Sequence, residues 1–353
     1  MIDWSLAAQI ARGVSGLQPS GDSAPFYAVQ GPAAESERLV SAYTGLVADG
    51  PLPAPEAVDR GAWIDANLGS MRGVLEPAAE KAAERLGMFG GAAGGILAVE
   101  AGALSGFLAG RVLGQYEFPV LEPTAPARLL FVAPNLGHAN EALESEADQL
   151  LRWVALHETT HALQFGGVPW LREHLAGMVR ELLSSLDVNA GGLLQFKLPD
   201  LSKLTDMSRL RELVDELREG GVATFALGPE RRELLDRAQS FMALLEGYAE
   251  HVMDAVGKDL LDDLPSMRAA LERRRRERSG FLRLLEKLIG MDLKLRQYEQ
   301  GKAFCDAVVR LGGIEALNRA WAGPEALPQP SELTDALAWL ARTERLGLGP
   351  RAA

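Results

Sequence analysis

The sequence predicts a mainly α-helical protein with a small minor β-sheet, and three observations carry that expectation. From about Ser145 onward Leu150, Trp153, Val154, His157, His161 and Phe165 recur at spacings of three and four, the period of one helix face. Short apolar runs closed by turn residues, the mark of strands, are few. The composition, 47% hydrophobic and 24% charged over 353 residues, is that of an ordinary globular chain. Such a chain buries its core without disulfide or metal staples, so a bound metal would serve chemistry.

Taken in order, the first hundred residues read as helices broken by Pro and Gly. Ala34 to Val47 is one helix, Pro51-Leu52-Pro53-Ala54-Pro55 is a turn, and Arg60 to Leu86 is the next helix. Met88 to Gly114 is the one membrane-like stretch, with Glu100 its only charge before Arg111. Its apolar content is mostly Ala and Gly, which drives lipid insertion weakly. We therefore expect a buried helix of close backbone approach and no stable membrane insertion. Arg128 to Ala133, closed by Pro134-Asn135, is the best strand, and Tyr116 to Leu121, interrupted by Pro119, is a second. The helix beginning near Ser145 ends at Gly166-Gly167, and Pro169 can open the next, Trp170 to Leu186. Asp187 to Thr205 reads as a surface loop. Further helices are expected over Leu210 to Glu219, Glu230 to Val256, Pro265 to Ile289 and Leu293 to Leu311.

Composition excludes several functions. A single cysteine, Cys305, rules out a disulfide framework and multi-cysteine zinc or iron–sulfur centres, so any metal must use His and carboxylates. A formal net charge of −12 argues against binding duplex nucleic acid, which needs a basic surface. The basic run Arg273 to Arg276 with Arg278 lies in a Glu/Arg/Leu-rich helical stretch and reads as a solvated face. Met1-Ile2-Asp3-Trp4 lacks a basic segment followed by an apolar one, so a cytoplasmic address is expected.

The informative segment is Trp153-Val154-Ala155-Leu156-His157-Glu158-Thr159-Thr160-His161, which contains H-E-x-x-H. Residues four apart share a helix face, so His157 and His161 can offer ring nitrogens to one ion while Glu158 projects beside it. At this composition the pattern arises by chance on the order of 0.006 times per chain. The flanking turns are apolar, and burying such polar groups unpaired costs about 1–3 kcal/mol each, so they need partners. Two imidazoles point to Zn2+, and a catalytic zinc takes a third protein ligand and leaves one position open. The metzincin continuation is excluded, because Gln164 and Gly167 stand where that class has Gly and His.

The best third ligand is Glu246, whose helical neighbours Met242, Ala243, Ala249 and Met253 are apolar. Glu250, one turn on, is placed to accept the second ring N–H of a ligand histidine, and Asp254 continues the row. Glu173, His174, Glu250 and His251 are the other candidate ligands. Tyr298 or Tyr248 can donate to the oxyanion of a tetrahedral intermediate.

These residues resemble a known family. Arg111-Val112-Leu113-Gly114-Gln115-Tyr116, Val132-Ala133-Pro134-Asn135, the H-E-x-x-H segment running to Val168-Pro169-Trp170-Leu171, Leu245-Glu246-Gly247-Tyr248-Ala249-Glu250, and Gln297-Tyr298 with Gly301 are similar to the bacterial type-two zincin-like hydrolases. The resemblance covers about Trp63 to Leu311. It implies a zinc-dependent metalloprotease, and the family is associated through genome context with deazaflavin-coenzyme biosynthesis. Glu246 followed by an acid four residues later is also similar to the gluzincin pattern, with Glu250 where the best-known members carry Asp. The resulting expectation is a zincin-like helical metallohydrolase, with residues 1–110 a helical extension and 111–353 the catalytic region, packed as one unit. His157, His161 and Glu246 hold Zn2+, Glu158 is the general base, Tyr298 the oxyanion donor, and Glu250 and Asp254 support the ligands. The substrate is a peptide or other amide, and the strand at Leu129 to Val132 takes it by edge pairing. The alternative is a non-catalytic zinc-containing helical scaffold that binds a partner.

Overall fold

Leu129, Leu130, Phe131 and Val132 are all buried, so this strand has an apolar layer on each side, as a continuous apolar run requires. In the computed structural model, which describes residues 1–86, 90–143, 146–185, 229–261 and 296–347, it is the middle strand of three. We label the strands β1 (Pro55–Val58), β2 (Gly114–Glu117) and β3 (Arg128–Val132). Their order is β1-β3-β2, with β1 parallel to β3 and β2 antiparallel to it. The expectation that Leu129 to Val132 offers a free edge is thereby overturned, because both of its edges are paired. The strand with an outer edge on the motif side is β2.

Ten α-helices are described: α1 (Trp4–Gly16), α2 (Gln30–Thr44), α3 (Arg60–Leu86), α4 (Gly90–Ala109), α5 (Ala133–Leu143), α6 (Ala147–Gly167), α7 (Leu171–Ser185), α8 (Pro229–Gly257), α9 (Arg296–Leu317) and α10 (Ala336–Arg345). The protein is thus mainly helical with one small sheet. α1, absent from the sequence reading, is capped by Asp3, which accepts from the Leu6 N–H at 3.0 Å. α2 stops at Thr44, short of the expected Val47, because Gly45 takes a left-handed φ of 70°. Pro134 sits in the first turn of α5, where its missing N–H costs nothing, so the expected turn opens a helix instead.

The sheet separates two layers. Leu130 and Val132 pack with α1, α3 and α4, while Leu129 and Phe131 face α5 and α6. The backbones of α1 and α4 touch: a Cβ on Gly102 or Gly106 would lie 2.5 or 2.4 Å from the carbonyl oxygens of Ala7 and Ala11. The close approach expected of this Ala/Gly helix is present, but the helix is not buried all round, since Ile96 and Val99 are 60% and 47% exposed. Among the described residues no helix is long and apolar enough to cross a membrane. A second core joins α6 to α7, α8, α9 and α10 around Tyr248, Phe304, Trp321 and Trp339. α6, which carries the motif, is therefore clamped between the two cores. The expected loop at Asp187 to Thr205, the helices at Leu210 to Glu219 and Pro265 to Ile289, and the basic run at Arg273 lie outside the described residues.

Candidate metal centre

Helical spacing puts His157 and His161 one turn apart on α6, and α8 crosses them with Glu246. The two Nε2 atoms are 3.2 Å apart. His157 Nε2 lies 3.6 Å from Glu246 Oε2, and His161 Nε2 lies 3.6 Å from Glu246 Oε1. Among the described residues these three form the group whose ligand atoms all fall within 4.8 Å of one another. Bonds of about 2.0–2.2 Å around a tetrahedral zinc put neighbouring ligand atoms roughly 3.3–3.5 Å apart. The separations of 3.2 and 3.6 Å lie close to that spacing, and the three side chains could hold a metal ion.

The outer ring nitrogens explain the orientation of the imidazoles. His161 Nδ1 is 2.9 Å from Gln164 Oε1, and Gln164 Nε2 donates to the Leu245 carbonyl at 3.3 Å, so one glutamine ties α6 to α8 beside Glu246. His157 Nδ1 faces Met253 Sδ at 3.1 Å. With Nδ1 turned to acceptors, both Nε2 atoms face Glu246, and loss of the proton between them would leave two lone pairs for one ion, the arrangement that ligand histidines use. The sequence reading gave this supporting role to Glu250, whereas the structure puts Gln164 and Met253 at the two Nδ1 atoms. Glu250 acts on His157 through its charge. Asp254 lies 3.0 Å from Lys302 Nζ, away from both rings.

Electrostatics are strongly perturbed here, as functional sites often are. Burial pulls His157 down, but the hydrogen bond to Glu246 and the charges of Glu158, Glu246 and Glu250 outweigh it and raise the ring to about 9. Burial holds His161 below its usual value, and the neighbouring His157 charge adds to that. Two rings in contact share a single proton. Burial raises Glu158 to about 7, helped by the Glu246 charge and opposed by His157 and the Tyr116 N–H.

Glu158 itself is held against the sheet. Its Oε2 accepts from the Tyr116 backbone N–H at 2.9 Å, on the outer edge of β2. A Cβ at Gly114 would lie 2.7 Å from Glu158 Cγ and 2.8 Å from Val154 Cγ1, so only glycine lets the carboxylate lie so close to the strand. The Tyr116 ring stacks on Phe165 of α6 at 5.9 Å. Arg172 of α7 donates to the Tyr116 hydroxyl and to the carbonyls of Pro123 and Ala125, fastening the segment after β2. Sequence reasoning named Gly114, Tyr116, Gln164 and Met253 but gave none of them a role at the site.

Other candidates are engaged elsewhere. Glu173 pairs with Arg180 at 2.8 Å, and His174 packs edge-on against Trp170 and Phe241. His251 lies between the Tyr43 hydroxyl at 2.8 Å and Asp306 at 2.7 Å. Tyr248 is fully buried and donates to Asn318 at 2.8 Å. The side chain of Tyr298, near the start of α9, lies outside the described residues.

The sequence profile of the zincin-like metallopeptidases matches residues 2–340. The chain belongs to that family. It is also similar to a crystal structure titled "putative hydrolase with a novel fold" from Chloroflexus aurantiacus, at 32% identity and a TM-score of 0.72 over 98% of this chain and 99% of that one. No curated protein matches the sequence. For this zincin-like chain, the family supports a metal-dependent hydrolase, and the donor set His157, His161 and Glu246 is where such a metal fits.

Proposed function

We propose that the chain is a zinc-dependent hydrolase of peptide or other amide bonds, working in the cytoplasm. The observation that carries this reading is the cluster of two Nε2 atoms 3.2 Å apart, each 3.6 Å from a different oxygen of the Glu246 carboxylate, beside a buried glutamate. His157, His161 and Glu246 would hold zinc, which supplies Lewis acidity that acidifies water and polarises a carbonyl. Glu158 is the proton carrier: it accepts the proton of the attacking water and returns it to the leaving nitrogen. Its hydrogen bond to the Tyr116 N–H holds the carboxylate for that work. In place of the strand first expected, the outer edge of β2 is the proposed register for an extended substrate, through its groups other than the Tyr116 N–H that Glu158 holds. Tyr298 is the proposed oxyanion donor. Its support is the crossing of α8 and α9, where a Cβ at Gly301, one turn beyond Tyr298, would lie 2.0 Å from the Ala243 carbonyl oxygen, close in chain to Glu246. Glu250 and Asp254 are proposed to tune the centre by charge. Residues 1–110 and 111–353 are proposed to act as one unit, supported by the pairing of β1 with β3 across that boundary.

Metal analysis of the purified protein is expected to give one zinc per chain, lost in Glu246→Ala. Glu158→Gln is expected to keep the zinc while cleavage of a defined peptide pool, read by mass spectrometry, falls by about 10²–10⁴-fold. Undiminished cleavage by Glu158→Gln overturns the mechanism.

A further inference from the structure

Across β2 from Glu158, between that strand and α3, lies a cavity of about 350 Å³. Alternation along β2 creates this division. Gly114 and Tyr116 pair in register with Phe131 and Leu129 on the α6 side, and Gln115 and Glu117 pair with Leu130 and Arg128 on the α3 side. Met71, Val74 and Leu75 of α3 form one apolar wall of the cavity, and Phe118 and Val120 form the other.

Into this largely apolar space projects a carboxylate. Glu117 is only 6% exposed, and the hydrogen bond it receives comes from the neutral Ser70 hydroxyl. Its register partner Arg128 gives its hydrogen bonds to Glu56, at 3.0 and 2.6 Å, and acts on Glu117 only through its charge. Among the described residues no Lys, Arg or His nitrogen forms an ion pair with Glu117. A buried carboxylate is costly without a cation in direct contact. At the same cavity wall Gln115 is spent on Trp63 and Asn67, at 2.7 and 3.0 Å. The cavity thus offers apolar walls that suit an alkyl stem and one anionic acceptor that suits its charged head.

We propose that this cavity is a binding subsite for an alkyl-linked cation, namely the lysine or arginine side chain of the substrate, with Glu117 as its counter-ion. Position supports the link to the substrate. A chain paired along the outer edge of β2 sets the side chain opposite Gln115 or Glu117 on the same face as those residues, about 4.5–5.5 Å away at Cβ, over the mouth of the cavity. The identification of the cation as part of a substrate rests on the hydrolase reading, but the capture of the cation does not.

The test reads binding without turnover. Trp63, whose indole N–H donates to Gln115 at the cavity wall, is the reporter in a nitrogen-15 NMR titration of the full-length protein. The probes are N-acetyl-lysine-N-methylamide, its arginine counterpart and the uncharged norleucine analogue. The Lys or Arg probe is expected to shift the Trp63 signal saturably and to bind at least about tenfold more tightly than norleucine, a charge-assisted bond's worth. Glu117→Gln is expected to remove that preference. Leu75→Trp, which fills the cavity and leaves Glu117 in place, is expected to abolish binding of all three probes. Equal affinities for the lysine and norleucine probes, no saturable shift, or an undiminished preference in Glu117→Gln overturns the subsite. A protein that hydrolyses peptides without this preference defeats the subsite alone, and one that binds the probes but never hydrolyses defeats only the hydrolase reading.

Discussion

α8 carries two clusters built from the same residue types, and they are different objects. At Glu246 two ring nitrogens of α6, 3.2 Å apart, face the two carboxylate oxygens of α8 at 3.6 Å each. Around His251 and Asp254 the groups form a series instead: Tyr43 to His251, His251 to Asp306, Asp306 to Lys302 and Lys302 to Asp254, at 2.8, 2.7, 2.5 and 3.0 Å. The series contains its own cation and spends each group on a neighbour, so it closes without help. The convergent cluster gathers two ring nitrogens and a carboxylate around a shared centre, a demand that a metal ion would meet. Residue type alone does not distinguish a metal site from a structural ion-pair network; convergence does.

The largest effect that can break this contrast is metal loss. His161→Ala is expected to lose zinc and, with it, the stabilisation the ion confers on the folded chain, about 2.7 kcal/mol at free zinc one hundredfold above its Kd. His251→Ala is expected to keep one zinc per chain. Its cost is about 1–3 kcal/mol for buried partners left unsatisfied, read as a fall in the denaturation midpoint. Zinc lost equally from both variants would erase the distinction.

The sequence shows these two clusters unequally. His157, Glu158 and His161 are legible because one helix supplies all three, and helical spacing decides which share a face. Glu246 is legible from its apolar neighbours. Further along that row the helix leaves the donor cluster behind. A helix rises 1.5 Å per residue, so Asp254 lies about 12 Å along α8 from Glu246, and there it meets Lys302 of α9. Gln164 was within reach, three residues beyond His161 and therefore on a neighbouring part of the same face. Gly114 and Tyr116 were not, because their role depends on the sheet, whose order required β1. That strand begins at Pro55 in a segment that reads as a turn. Long-range pairing of this kind leaves no local pattern.

Between the candidate ligands and the ion-pair series stands Gln164, which sharpens the comparison. Gln164→Ala removes the acceptor at His161 Nδ1 and the tie to the Leu245 carbonyl. Zinc affinity, measured by competition with a chelator of known strength, is expected to fall about 10–100-fold with the zinc still bindable. Because Lys302 and Asp306 are untouched, the zinc-free variant is expected to retain the pH dependence of stability that those groups confer. Unchanged zinc affinity would mean that the His161 ring is oriented by packing alone.

The smallest effect belongs to the self-contained series and follows from Asp306. Burial raises its carboxyl, but hydrogen bonds from His251 and Lys302 outweigh that and hold it at about 2, below the ordinary 3.8. A carboxyl with a lowered folded-state pKa contributes its stability in full above the unfolded value, and loses it as pH falls from about 4 toward 2. The side chain is about one-third exposed, so solvent screening reduces the contribution to about 1 kcal/mol. Urea unfolding of the zinc-free protein and of Asp306→Asn, compared between pH 5 and pH 2, isolates it. The wild-type advantage is expected to be constant down to about pH 4 and to shrink below that. An advantage that does not change with pH would show that the Asp306 charge is not what binds α8 to α9, and the contrast with the convergent cluster would then rest on geometry alone.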